Sequence, residues 1–187
     1  MDINGLIKRC VKKDRKAQET LYNLYKAKLF PVCLKYCSTH TEAQDHLHDT
    51  FITIFSSIKK YKAAGSFEGW MKRIAINTAI DRYKKNTRFE LTEAKLAKLS
   101  EPVYLEEDIP LIPLDTLLQC IQQLPNQYRI IFNLYELDNY SHKEIAQLLS
   151  ISESSSKSNL HRAKAILKKQ VGGLIKKKQY KADADGK

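Results

Sequence analysis

Apolar residues recur along this chain at intervals of three and four, a spacing that predicts helices. Leu6, Ile7, Cys10 and Val11 form a first stripe, and Asp14 either ends that helix or caps the next. Ala17, Leu21, Leu24, Tyr25, Leu29, Val32, Cys33, Tyr36 and Cys37 continue at helical spacing, with Lys26, Lys28 and Lys35 facing out. Pro31 inside this pattern predicts a kink or a nearby break, because proline lacks the donor that the helix needs. Ser38–Thr41 is a polar interruption, with Thr41 or a neighbour as the next cap. Residues 42–60 then turn Ala43, Leu47, Phe51, Ile54, Phe55 and Ile58 to a core. Gln44, Asp45, His48, Asp49 and Ile52 fall elsewhere on the wheel, an acidic and partly apolar outer surface suited to a protein contact.

Tyr61–Gly69 reads as a loop, and Trp70–Tyr83 as a helix burying Trp70, Met71, Ile74, Ala75, Thr78 and Ile80. Residues 89–113 have weak periodicity and two prolines, which predicts a linker with at most a loose helical turn around Glu93–Leu99. Leu114, Leu117, Leu118, Ile121 and Leu124 resume a helical stripe that Pro125 ends. Tyr128, Ile131, Phe132 and Leu134 face inward on the next helix, and Asp138–Asn139 turns the chain.

Asn139–Gln170 then reads as a helix-turn-helix. Ser141 caps a short helix, with Glu144 completing a capping box, and Ile145, Ala146, Leu148 and Leu149 form its apolar face. Ser150–Ser152 break it, because hydroxyl side chains compete for backbone hydrogen bonds. Ser152 caps a second helix from Glu153 to about Gln170, with Leu160, Ala163, Ile166 and Leu167 inward. Lys157, Ser158, His161, Arg162, Lys164, Lys168 and Lys169 lie on its other side. A short helix, a tight turn and a longer basic helix suit a major groove. The tail from Gly172 is Lys-rich with paired glycines and is expected to fray.

Charge adds a partner to this picture. Thirty-two Lys and Arg against 21 Asp and Glu give 187 residues a net charge of +11, which favours an anionic partner. Residues 1–88 carry 18 basic and 8 acidic groups, 89–113 carry 2 and 6, and 114–187 carry 12 and 7. Two basic domains flanking an acidic strip is the pattern. Tyr61, Phe67 and Trp70 sit among Lys59, Lys60, Lys62, Lys72 and Arg73, a mixture that suits single-stranded nucleic acid: bases stack on rings while cations hold phosphates. The alternative is that the three aromatics are core; Tyr61 is the best stacking candidate.

Three separate stretches carry a family resemblance: QDHLHDTFITIF at 44–55, GSFEGWMKRIAINTAIDRYKK at 65–85, and LPNQYRIIFNLYELDNYSHKEIAQLLSISESSSKSNLHRAKAIL at 124–167. In order and spacing they resemble bacterial RNA polymerase sigma factors of the two-domain extracytoplasmic-function type. The resemblance implies an all-α fold: a sigma domain 2 bundle over 1–88, an acidic linker over 89–113 and a four-helix sigma domain 4 over 114–172; the basic tail over 173–187 is expected from its composition to be disordered. It implies that Asp45, His48, Asp49, Phe51 and Ile52 dock on core RNA polymerase, following the family's AEDLTQEVF pattern. His48 stands where Gln is common there, and His46 where Leu is.

The same resemblance assigns Tyr61, Asn77 and Asp81 to bases of the −10 element and Arg73, Arg82, Lys84 and Lys85 to its phosphates, with Lys62 expected at the same element. Lys157, Ser158, Asn159, His161 and Arg162 fall where the family reads the −35 element, usually with GTVKSRLxRAR. Here Ser154, Ser156 and Asn159 replace Gly, Val and Arg. Implied partners are core polymerase, promoter DNA and an anti-sigma factor, with no small-molecule substrate.

Two rival readings stand beside this one. A helix-turn-helix regulator that never touches polymerase explains the C-terminal half equally well, but not the acidic surface followed by a cationic aromatic loop. A metal protein would use Cys33, Cys37 and His40 with His46 and His48, yet no CxxC or HExxH motif is present. No cofactor, no metal and no catalytic residue is expected. Four sparse cysteines, no apolar run able to span a bilayer and no signal peptide predict a cytoplasmic protein with free thiols.

Overall fold

The computed structural model describes residues 2–90 and 112–185, with side chains to 86 in the first segment and to 175 in the second. Among the described residues every regular element is a helix. The expected turn at Glu93–Leu99 and most of the expected linker lie outside them. The chain divides into two compact units, Met1–Lys85 and Asn86–Lys187.

The first unit holds α1 (Ile3–Val11), α2 (Arg15–Leu34), α3 (His40–Ser57), a 3₁₀ turn at Ile58–Lys60 and α4 (Phe67–Glu90), which runs on past the unit's end. Asp14 caps α2 by accepting from the Ala17 N–H at 3.1 Å, while Arg9 lies 2.7 Å from its carboxylate. Pro31 lies inside α2, three residues from its end, so its lost hydrogen bond falls where the helix is about to stop. Thr39, not Thr41, caps α3 through the Glu42 N–H at 3.1 Å; the Glu42 carboxylate returns to the Ser38 N–H at 2.8 Å. α4 starts at Phe67, three residues before its periodicity suggests. Ser66 accepts from the Gly69 N–H at 3.0 Å and so draws Phe67–Gly69 into the first turn.

One core joins all four helices: Leu6, Ile7 and Cys10 from α1, Leu21, Leu29 and Cys33 from α2, Leu47, Phe51 and Ile54 from α3, and Phe67, Met71 and Ala75 from α4. On α4, Ile76 and Ala79 are buried as well, whereas Trp70, Ile74 and Thr78 are half-buried.

The second unit holds α5 (Leu114–Gln122), α6 (Asn126–Phe132), one π turn (Asn133–Leu137), α7 (His142–Leu149) and α8 (Glu153–Asp185). α8 packs on α5, α6 and α7. Its core is Cys120, Leu124, Ile130, Ile131, Leu134, Ile145, Ala146, Leu149, Leu160 and Ala163. Leu114, expected inside, is 79% exposed because it opens α5 ahead of the packed part. α8 continues to Asp185 rather than fraying at Gly172. Glycine costs about 1 kcal/mol in a helix relative to alanine but keeps its N–H, so the hydrogen-bonded ladder passes through.

Arg129 is a buried cation that the periodicity of α6 does not announce. Its guanidinium donates to the carbonyls of Gln122 at 2.7 Å and Leu124 at 3.0 Å and to the Asn126 side chain. It thereby satisfies carbonyls that the C-terminus of α5 leaves open.

Candidate polymerase and nucleic-acid interface

α3 presents Asp45, His48, Asp49 and Ile52 to solvent at successive spacings of three, one and three, so they share one face. Ile52 is 55% exposed, a large apolar residue ringed by acidic and polar neighbours. Phe51 does not belong to that face. It is 3% exposed and packs inward against Tyr22, ring centroids 4.7 Å apart, and Phe55, 5.9 Å away. Its expected docking role is corrected to that of a core anchor, because it lies on the helical stripe shared with Leu47 and Ile54.

The loop after the 3₁₀ turn builds an aromatic cluster. Tyr61 packs edge-on against Phe67 with centroids 5.0 Å apart and lies 5.5 Å from Trp70; Phe67 and Trp70 stack at 5.5 Å. The Tyr61 hydroxyl donates to the Gly65 carbonyl at 2.6 Å, which closes the loop over Ala63, a non-glycine residue at φ 53°. Phe67 is core, whereas Tyr61 and Trp70 are half-buried. Lys62 is exposed beside them. Lys72 is engaged: Glu68 binds it at 2.9 Å and Lys28 at 3.0 Å. Those two hydrogen bonds, Lys72 first, hold the Glu68 carboxyl below its ordinary pKa.

Along α4 beyond the cluster, Arg73, Asn77 and Asp81 are exposed at spacings of four, and half-buried Lys84 follows on the same side, with Lys85 exposed beside it. Arg82 leaves this row. It is half-buried, and its guanidinium donates to the Glu42 carbonyl of α3 at 3.4 Å.

Beneath these surfaces the two thiols and the buried imidazole weighed as metal ligands have polar neighbours within the core. The Cys33 Sγ lies 3.9 Å from the Thr50 hydroxyl, and burial pushes its thiol up to about 11. The Cys37 Sγ lies 3.7 Å from His46 Nδ1. His40 is exposed against Phe30, and His48 is on the outer face of α3. Among the described residues no group of three His, Cys, Asp or Glu is placed to hold a metal.

In the second unit the capping box is formed: Ser141 Oγ accepts from the Glu144 N–H at 3.2 Å, and the Glu144 carboxylate accepts from the Ser141 N–H at 2.8 Å. The break after α7 is made by Ser150 in the left-handed region, φ 57°, with the Ile151 N–H reaching the Ala146 carbonyl at 3.0 Å. Ser152 then caps α8 through the Ser155 N–H at 3.0 Å. Lys157, Ser158 and His161 are exposed on α8, and Arg162 is half-buried beside them. Asn159 is 5% exposed and faces the core next to Leu160, so it is withdrawn from the groove-facing set: its position on the wheel is an inward one. Ser156 is also buried, and its hydroxyl meets His142 Nδ1 at 2.9 Å. His142 in turn stacks on Tyr135 with centroids 4.3 Å apart.

Sigma-70 region 2 matches residues 21–89, and Sigma-70, region 4 matches residues 114–167. The chain belongs to the sigma-70 family. It is 29% identical over 185 residues to the ECF RNA polymerase sigma factor SigW of Bacillus subtilis (strain 168), covering 93% of this chain and 99% of that protein. It is 28% identical over 163 residues to the RNA polymerase sigma factor YlaC of the same organism, covering 85% and 94%. Its fold is similar to that of the sigma factor RpoE solved in complex with the anti-sigma factor NepR from Bartonella quintana. The TM-score is 0.50 at 16% identity, covering 82% of this chain and 96% of that one.

Region 2 of this sigma-family chain therefore spans most of α2, all of α3 and nearly all of α4, and region 4 spans α5 to the middle of α8. The residues that sequence reasoning missed in both regions are buried and polar: His46 and Thr50 in region 2, Arg129 and Ser156 in region 4. A polar residue on an apolar stripe was the available signal. His46 adjoins Leu47 on such a stripe, and Ser156 stands where the family pattern has Val.

Proposed function

We propose that this protein is a sigma subunit of the extracytoplasmic-function type, which binds core RNA polymerase and directs it to promoters. The α3 face of Asp45, His48, Asp49 and Ile52 docks on the polymerase. The α4 row of Arg73, Asn77, Asp81, Lys84 and Lys85, with Lys62 and Tyr61, engages the −10 element as it opens. Lys157, Ser158, His161 and Arg162 read the −35 element, and residues 89–113 tether the two regions. The polymerase supplies the chemistry, so this chain has no catalytic residue of its own.

What supports this reading most is a single juxtaposition. One unit carries both an acidic helical face and, on the next helix, a row of base-type and cationic residues beginning at an aromatic cluster. Region 2 and region 4 matches flank residues 90–113 in the order the mechanism needs. Flipping a base costs a few kcal/mol. Stacking on an aromatic ring returns roughly 1–3 kcal/mol per base, so an opening element needs both ring and cation.

Among the described residues no helix is long and apolar enough to cross a membrane, which fits action in the cytoplasm. A sigma factor solved with an anti-sigma factor has the same fold, which supports an anti-sigma factor as a third partner. Co-migration with purified core RNA polymerase in gel filtration tests the reading. A chain that stays apart from core enzyme while still binding duplex DNA would instead be a helix-turn-helix regulator.

A further inference from the structure

His46 is the buried polar link between the helix that carries the docking face and the helix that carries the −10 row. Its ring is 1% exposed, and Nε2 lies 2.9 Å from the main-chain carbonyl of Ala75 on α4. A carbonyl only accepts, so Nε2 holds the proton in this bond, while Nδ1 faces the Cys37 thiol at 3.7 Å. The Thr50 hydroxyl donates to the His46 carbonyl at 2.7 Å, one turn along α3. Ala75 sits between Arg73 and Asn77, and His46 sits between Asp45 and His48. The bond thus joins positions one or two residues away from each surface. Burial holds the His46 pKa below its ordinary value, with the Arg82 charge acting the same way and the Ala75 bond, the Cys33 main chain and Asp49 opposing it.

A hydrogen bond holds its two atoms within a narrow range of distance and angle, which adds a fixed point to the apolar packing between the helices. We propose that His46 is a positioning residue for promoter opening: its Nε2–H bond to the Ala75 carbonyl fixes the register of α4 on α3, and so sets Arg73, Asn77 and Asp81 relative to Asp45, His48, Asp49 and Ile52. This rests on the sigma reading above. Arg82, bonded to the Glu42 carbonyl at 3.4 Å, is a second tie between the same helices. Polymerase grips one face and the melted strand meets the other, so error in register appears as slow opening rather than weak docking.

The test uses the full chain with purified core enzyme, comparing wild type, H46L and H46Q. Core affinity and the rate of opening are both read, the latter by a fluorescent base at the −10 site. H46L should open about fivefold more slowly at unchanged core affinity, the size of effect expected for the loss of one buried hydrogen bond. H46Q, whose amide also donates, should return to within about twofold of wild type. Opening by H46L at the wild-type rate overturns the proposal, and so does H46Q as slow as H46L. If H46L does not fold, H46Q decides alone: wild-type opening supports the register role, and slow opening at normal core affinity overturns it. Nitrogen NMR of the wild-type imidazole should show the neutral Nε2–H tautomer at neutral pH, and the Nδ1–H tautomer overturns the geometry. A wild-type chain that fails to bind core overturns the sigma reading instead.

Discussion

His142 Nδ1 and the Ser156 hydroxyl lie 2.9 Å apart and join the first turn of α7 to the first turn of α8. Lys157 and Ser158, adjacent to this bond, are exposed, so the contact fixes how α8 presents them. Ser156→Val removes the partner of a half-buried imidazole. Such a loss costs about 0.5–1.5 kcal/mol, so affinity for a −35 duplex should fall roughly two- to tenfold by fluorescence anisotropy, with core binding unchanged. Unchanged duplex affinity would make the bond incidental.

Arg162→Ala should weaken promoter-dependent transcription without weakening core binding. If its guanidinium meets a phosphate, the slope of log affinity against log salt should shrink by about 1. Equal loss of transcription and core binding would show that Arg162, which is half-buried, serves the fold.

Tyr61 permits a split test, because its ring touches Phe67 and Trp70 while its hydroxyl binds Gly65. Tyr61→Ala should impair strand opening at the −10 site and leave −35 duplex binding intact. Tyr61→Phe keeps the ring and should retain most of the opening while loosening the loop. If opening is normal in Tyr61→Ala, the ring belongs to the aromatic cluster alone.

The two buried or half-buried imidazoles make stability depend on pH. His46 and His142 both have pKa values lowered below 6.5, chiefly by burial. Between those lowered values and 6.5 the unfolded chain binds protons that the folded chain does not, so stability rises with pH through that window. It is fully present above about pH 6.5 and declines as pH falls toward the folded values. Thermal melts across this range should show the slope, and His46→Leu should reduce it for the first unit. A melting temperature flat from about pH 5 to pH 8 would contradict the buried neutral state.

The helical outline was legible because its signals are local. Capping at Ser141 and Ser152 and the stripes through Leu47 and Ile145 need only neighbours in sequence. What was not legible depends on partners distant in the chain. Asn159 was assigned to DNA by family position, but α8 turns it inward against the rest of its unit. Phe51 matched a docking pattern and a core stripe at once, and packing with Tyr22 decides for the core. The start of α4 hinged on one hydroxyl, Ser66, inside what composition marks as loop. The buried roles of His46 and Arg129 consist of bonds to main-chain carbonyls, and a polar residue beside an apolar stripe does not say which carbonyl it meets.

On the sigma reading, one chain both recruits polymerase and opens promoters. Sequencing transcripts made in vitro from genomic DNA by core RNA polymerase plus this protein tests it most directly. Discrete new 5′ ends are expected, each preceded by a shared pair of motifs, and fewer of them with Arg162→Ala. Transcripts no different from those of core enzyme alone would contradict it.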